Sequence, residues 1–178
     1  MARTLLERMK GAALLDVSIY EEVEADESAT GQAAMVVLIV AICSAIGAYH
    51  EGTGGIVGAI VGAFVGWGIW SGVTYVVGTR MFGGTATWGE LLRTLGFAQS
   101  PGVVGVLAFL PGVGGMVKLA VGVWTLVAGV IAIRQALDVD TGKAVVVAIV
   151  AVLLLIAVFV GMAMLFGGAM VLGAALAS

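Results

Sequence analysis

Residues 144–178 form a run of 35 positions without one Asp, Glu, Lys or Arg. As a single helix rising 1.5 Å per residue such a run would be about 50 Å long, more than the ~30 Å hydrocarbon core of a bilayer. The windows 28–50, 52–79, 94–117 and 119–133 are equally free of those four residues. Charged residues make up only 11% of the chain, against roughly 25% in a soluble domain. Too few charges remain to cover a water-soluble globule of this length. The mean hydropathy of +1.17 agrees. The chain therefore reads as an all-α integral membrane protein, because a helix satisfies its backbone polar groups internally where no water is present. The 28 glycines show no three-residue period and proline occurs twice, which excludes collagen-like and disordered readings.

The windows predict a bundle of five transmembrane helices at about 31–48, 54–78, 91–110, 114–136 and 144–166. They form one membrane domain, 31–178, behind an N-terminal segment, 1–30. Turn chemistry separates them: 51–53, 80–84, Pro111-Gly112-Val113 and 138–142. Gly167-Gly168 is the expected end or bend of the last helix. With the N-terminus cytoplasmic, Arg3, Arg8, Lys10, Arg80, Arg93, Arg134 and Lys143 lie inside and only Lys118 outside. This seven-to-one asymmetry supports an odd number of spans, a C-terminus outside and a multi-pass place in the plasma membrane.

Reactive constellations are missing from the pattern. Cys43 stands alone in an apolar run, so neither an intrachain disulfide nor a thiolate metal cluster can form. His50 and Glu51 lack the further ligands that a metal needs. Asp138 and Asp140 resemble the start of a calcium loop, but its twelfth position is Ile149, leaving a polar turn. Gly142-Lys143 lacks the flanking residues of a phosphate-binding loop. The span centres hold no carboxylate for a proton relay. The expectation is therefore no enzyme, no cofactor, no metal and no nucleic-acid partner. Lys118 and Arg134 read as snorkelling residues, and Glu90 and Arg93, three apart, as a pair on one helix face.

Packing signals are stronger. Gly54, Gly58, Gly62 and Gly66 give three GxxxG steps along the second span, a ridge that lets another backbone approach closely. Its occupant is either another helix of the same chain or a homo-oligomer or membrane-protein partner. In the third span Pro101, among Gln99, Ser100 and Gly102, predicts a kink, because proline cannot donate to the carbonyl of Phe97. The spot reads either as bundle shaping or as a solute or lipid site. Trp88 reads as an interfacial anchor. In the N-terminal segment Leu5, Leu6, Met9, Ala12, Ala13 and Tyr20 recur at helical spacing, predicting a short amphipathic helix on the inner interface. The acidic patch Glu21, Glu22, Glu24, Asp26 and Glu27 follows, a solvated linker or a dock for a basic partner, with Ser28 as helix cap.

Leu95-Gly96-Phe97-Ala98-Gln99-Ser100-Pro101, then Leu110-Pro111-Gly112-Val113-Gly114-Gly115 and Val123-Trp124-Thr125-Leu126, resemble the Yip domain family of five-span membrane proteins. Ile133-Arg134-Gln135-Ala136-Leu137 with Thr141-Gly142-Lys143-Ala144 adds to the likeness. The lead-in 25–33 is similar to that of bacterial and archaeal members. The resemblance implies a cytosolic N-terminus, five helices and an outside C-terminus, and no catalytic residues. Eukaryotic members are linked to Rab GTPases, vesicle traffic and membrane shaping; this sequence reads as without their long cytosolic N-terminal region and its short loops look prokaryotic, so the trafficking role is not the expectation here. Together these features predict a non-enzymatic scaffold or membrane-organising factor in the lipid bilayer. A transporter or channel for a small or lipid-like solute, and an accessory subunit of a larger membrane complex, are the alternatives.

Overall fold

The computed structural model describes residues 3–48 and 55–177, and every regular element among them is helical. Two short helices, α1 (Leu5–Ala13) and α2 (Val17–Ala25), precede α3 (Ala29–Gly47) and α4 (Gly55–Met81). Then come α5 (Trp88–Phe97), a 3₁₀ segment (Ser100–Phe109), α6 (Gly114–Leu137) and α7 (Thr141–Ala177). Four helices are long and apolar enough to cross a membrane, and there are five spans if α5 and the 3₁₀ segment, bent by 41°, count as one.

The bend follows from Pro101. Its missing N–H leaves the Phe97 carbonyl without the usual partner, and the Ser100 hydroxyl donates to that oxygen at 2.7 Å. Beyond it the chain winds as a ten-residue 3₁₀ helix, well past the usual three or four residues. At 3.0 residues per turn, positions three apart share one face, so Gly102, Gly105 and Ala108 form a row. That row lies against α3. A Cβ on Gly102 would meet Val40, and one on Gly47 would collide with the Gly105 carbonyl and press on Ala108. Gly96 meets Ala33 in the same way. The contacts advance together along both elements, so α3 and the bent α5–3₁₀ pair run parallel.

α7 packs on α4 and α6. It continues as one helix through Gly167-Gly168 to Ala177, where the sequence predicts an end or bend. Glycine costs a helix only about 1 kcal/mol each, so the pair does not by itself end one.

The N-terminal segment holds two helices where one was expected. Leu15, with φ of 63°, breaks the first, and Asp16 caps the second by accepting from the Ser18 N–H. Met9, Ala12, Ile19, Tyr20 and Val23 bury their faces in the common core with Leu91, Leu95, Phe97 and Ile133. The hairpin thus packs on α5, the 3₁₀ segment and α6. Its tip reaches Trp124, whose indole N–H donates to the Ala13 carbonyl at 2.7 Å. Trp124 stands 13 residues before Leu137, about 20 Å along α6, so the hairpin flanks the bundle.

Replacing Gly47 with Val should lower the unfolding stability by roughly 2 kcal/mol or more, since neither backbone at that crossing can yield. Thermal melting in mild detergent measures it; an unchanged midpoint would contradict the crossing.

Candidate functional site

The polar groups converge where the hairpin meets the end of the bundle formed by the start of α5 and the α6–α7 turn. Arg8 is buried at 2% exposure, and its guanidinium joins three elements. It pairs with Glu22 at 2.8 Å and Asp26 at 2.7 Å on α2 and its cap, and donates to Gln32 of α3 at 3.0 Å. Arg3 adds a second bridge to Glu22 at 3.0 Å. Burial opposes the charge of Arg8, but the hydrogen bonds of Asp26 and Glu22 outweigh it and raise its pKa. The same network, with the Ser28 hydroxyl foremost, lowers that of Asp26.

Arg93 is the second buried guanidinium, 6% exposed. Its Nε donates to the Val23 carbonyl at 2.9 Å and its Nη2 to the Glu24 carbonyl. The last four carbonyls of a helix lack intrahelical donors and carry the negative end of its dipole, so a buried cation suits that place. The expected Glu90–Arg93 pair does not form. Glu90 instead closes a capping box with Thr87 at the start of α5. Further along, Gln135 donates to Glu21 at 3.0 Å. Asp138, left-handed at φ 52°, ends α6 and accepts from Thr85 at 3.2 Å, and Asp140 caps the first turn of α7 through the Lys143 N–H.

The acidic patch is therefore divided. Glu22 and Asp26 are taken up by arginines of the same chain, Glu21 by Gln135, and Glu27 is exposed. Ser28 holds the N-cap position of α3, yet its hydroxyl bonds Asp26 and leaves the helix uncapped by a side chain. Gln99 lies half-buried at the bend, with Ser100 and Pro101 buried beside it.

The glycine ridge of α4 packs on nothing among the described residues. A Cβ on Gly58, Gly62 or Gly66 would meet nothing within 4 Å, and the neighbouring Val57, Val61 and Val65 are exposed. Gly54, His50 and Glu51 lie outside the described residues. Close contact is made instead by Gly47, Gly96, Gly102 and Gly105, whose spacing does not follow four-residue steps. Trp88, half exposed, begins α5.

Two features of α4 carried no sequence signal. Trp70 Nε1, Ser71 Oγ and Thr74 Oγ1 are buried without a hydrogen-bond partner among the described residues. Trp70 also lines an apolar groove of about 330 Å³ with Gly129, Leu126, Val145, Ile149 and Leu153. Its ring packs 3.3 Å from where a Cβ of Gly129 would stand. No group of three or more metal-ligating side chains occurs among the described residues.

A family model described as the Yip1 domain matches residues 18–175, which covers α2 through nearly all of α7. No curated protein and no solved structure matches.

Arg93→Met should leave two buried carbonyls without donors and weaken hairpin docking by roughly 2–4 kcal/mol, read as faster amide exchange in 5–25 than in α6. Equal protection in both proteins would contradict the role given to Arg93. Thr74→Val, nearly isosteric, should raise the melting temperature, because it removes an unpaired hydroxyl that costs about 1–3 kcal/mol. A lower melting temperature would mean that the hydroxyl has a partner.

Proposed function

The chain belongs to the Yip1 domain family of multi-pass membrane proteins, and we propose that it acts as a non-enzymatic scaffold or membrane-organising factor. In this reading the bent pair is the third of five spans. The seven-to-one distribution of Lys and Arg supports a cytoplasmic N-terminus and an outside C-terminus, and the reading takes the membrane to be the plasma membrane. The hairpin then starts at the cytoplasmic end of α6 and runs about 20 Å along its flank, with Leu6 and Leu14, the most exposed apolar residues of the hairpin, turned to lipid.

One observation carries the proposal: the ridge of Gly58, Gly62 and Gly66 is smooth, apolar and uncovered by the described residues. Such a surface suits close helix association in lipid, where packing and weak CH···O contacts replace a hydrophobic driving force. The use made of the charged side chains supports a role without chemistry. Arg8, Arg93, Glu22, Asp26 and Glu90 are all engaged in holding helices together or capping them.

A second reading, passage of a small or lipid-like solute, draws on the unpaired groups of Trp70, Ser71 and Thr74 and the groove beside them. It predicts flux into liposomes that is lost when Gly129→Leu fills the groove. A role as accessory subunit would appear as a stoichiometric foreign chain in the native complex.

The double variant Gly58→Leu/Gly62→Leu should abolish the native assembly, measured by mass in nanodiscs, while the melting temperature stays within about 2 °C because nothing among the described residues opposes the new side chains. An intact assembly would sink the scaffold reading, and a collapsed melting temperature would show that the ridge packs internally.

A further inference from the structure

Glu24 occupies an unusual place in the hairpin interface. Its backbone carbonyl is held by Arg93, but its half-buried carboxylate makes no hydrogen bond or ion pair among the described residues. The Arg93 guanidinium donates to backbone oxygens of α2. The charged groups facing the Glu24 carboxylate are Glu21 on its own helix, Glu90 and Arg93 on α5 and Asp138 at the end of α6. Arg3, just before α1, and Arg8 of α1 are engaged with Glu22 and Asp26. Glu24 thus sits without a side-chain partner of its own among the described residues, at the joint where Arg93 ties the end of α2 to α5 and Gln135 ties Glu21 to α6.

We propose that this joint is a proton-operated latch: with Glu24 neutral the α1–α2 hairpin is clamped on α5 and α6, and with Glu24 ionised the clamp loosens. Desolvation, with Asp138 and Glu90 adding repulsion that Arg93 only partly offsets, pushes the Glu24 carboxyl up to about 7 from an ordinary 4.5. A freed hairpin would return it to the ordinary value. The docked state therefore binds the proton more tightly, so docking is strongest at the acid end of the window between 4.5 and 7 and is lost as pH rises through about 7. Asp26 and Glu7 are shifted downward, so their contributions vary only below that window. Loosening would uncover Arg93, Trp124 and Gln135, the three side chains through which α5 and α6 hold the hairpin. The latch stands apart from the scaffold reading, since it concerns the hairpin and makes no use of the ridge on α4.

The test is hydrogen exchange by mass spectrometry on the full chain in zwitterionic nanodiscs at pH 5 to 8, corrected for intrinsic exchange. Protection of amides in 5–25 relative to those of α6 should fall roughly tenfold across that range, allowing for the solvent that reaches Glu24. Glu24→Gln should flatten the profile at the protected level, and Asp138→Asn should move its midpoint to lower pH by removing one repelling charge. A flat wild-type profile would overturn the proposal, as would an unchanged fall in Glu24→Gln.

Discussion

Two buried guanidiniums hold this structure to its N-terminal hairpin. A membrane bundle with 11% charged residues has few polar groups to lend to tertiary contacts, and Arg8 and Arg93 are placed where each satisfies several acceptors. Arg8 neutralises Glu22 and Asp26 and reaches Gln32, fixing how α2 turns into α3. Arg93 takes the carbonyls that end α2 and ties them to α5. Removing one partner from such a buried set is costly because the rest stay desolvated. Together they make the hairpin a structural part of the bundle, with Tyr20 and Val23 in the same core as Leu91 and Ile133.

The bundle itself depends on a second constraint, the closeness of α3 to the bent α5–3₁₀ pair. Pro101 ends the α-helix, Ser100 supplies the donor the proline lacks, and the chain continues as a 3₁₀ helix whose three-residue row of small side chains faces Gly47. The proline thus changes the helical period, and the new period decides which glycines meet the neighbour. The four-residue ridge on α4 is left outward, available for contact beyond the chain.

The long apolar helices were legible in the sequence because a run without charge has one stable outcome in lipid, and the break at Pro101 was legible because a missing N–H has a local consequence. The capping boxes at Thr4 and Thr87 follow the same local logic, although the pairing expected for Glu90 gave way to one of them. What lay beyond reach was long-range. A GxxxG pattern states that a face is smooth and says nothing of what covers it, so Gly58 and Gly62 could not be told from Gly47 and Gly102. The partners of Glu22 and Asp26 stand 14 and 18 residues away on a helix that reverses at Leu15, a residue with no turn signature. Trp70, Ser71 and Thr74 look like ordinary span residues until their surroundings are known.

The central claim is that the hairpin is docked on the bundle and is not a solvated tail. Its most direct test is a pulsed electron paramagnetic resonance distance between spin labels at Leu14 and Val127, both exposed and each close to the Ala13–Trp124 contact. The native Cys43 is replaced by Ser and the protein reconstituted in nanodiscs at pH 5. Docking predicts one short, narrow distance distribution. A broad distribution extending to long distances would contradict it.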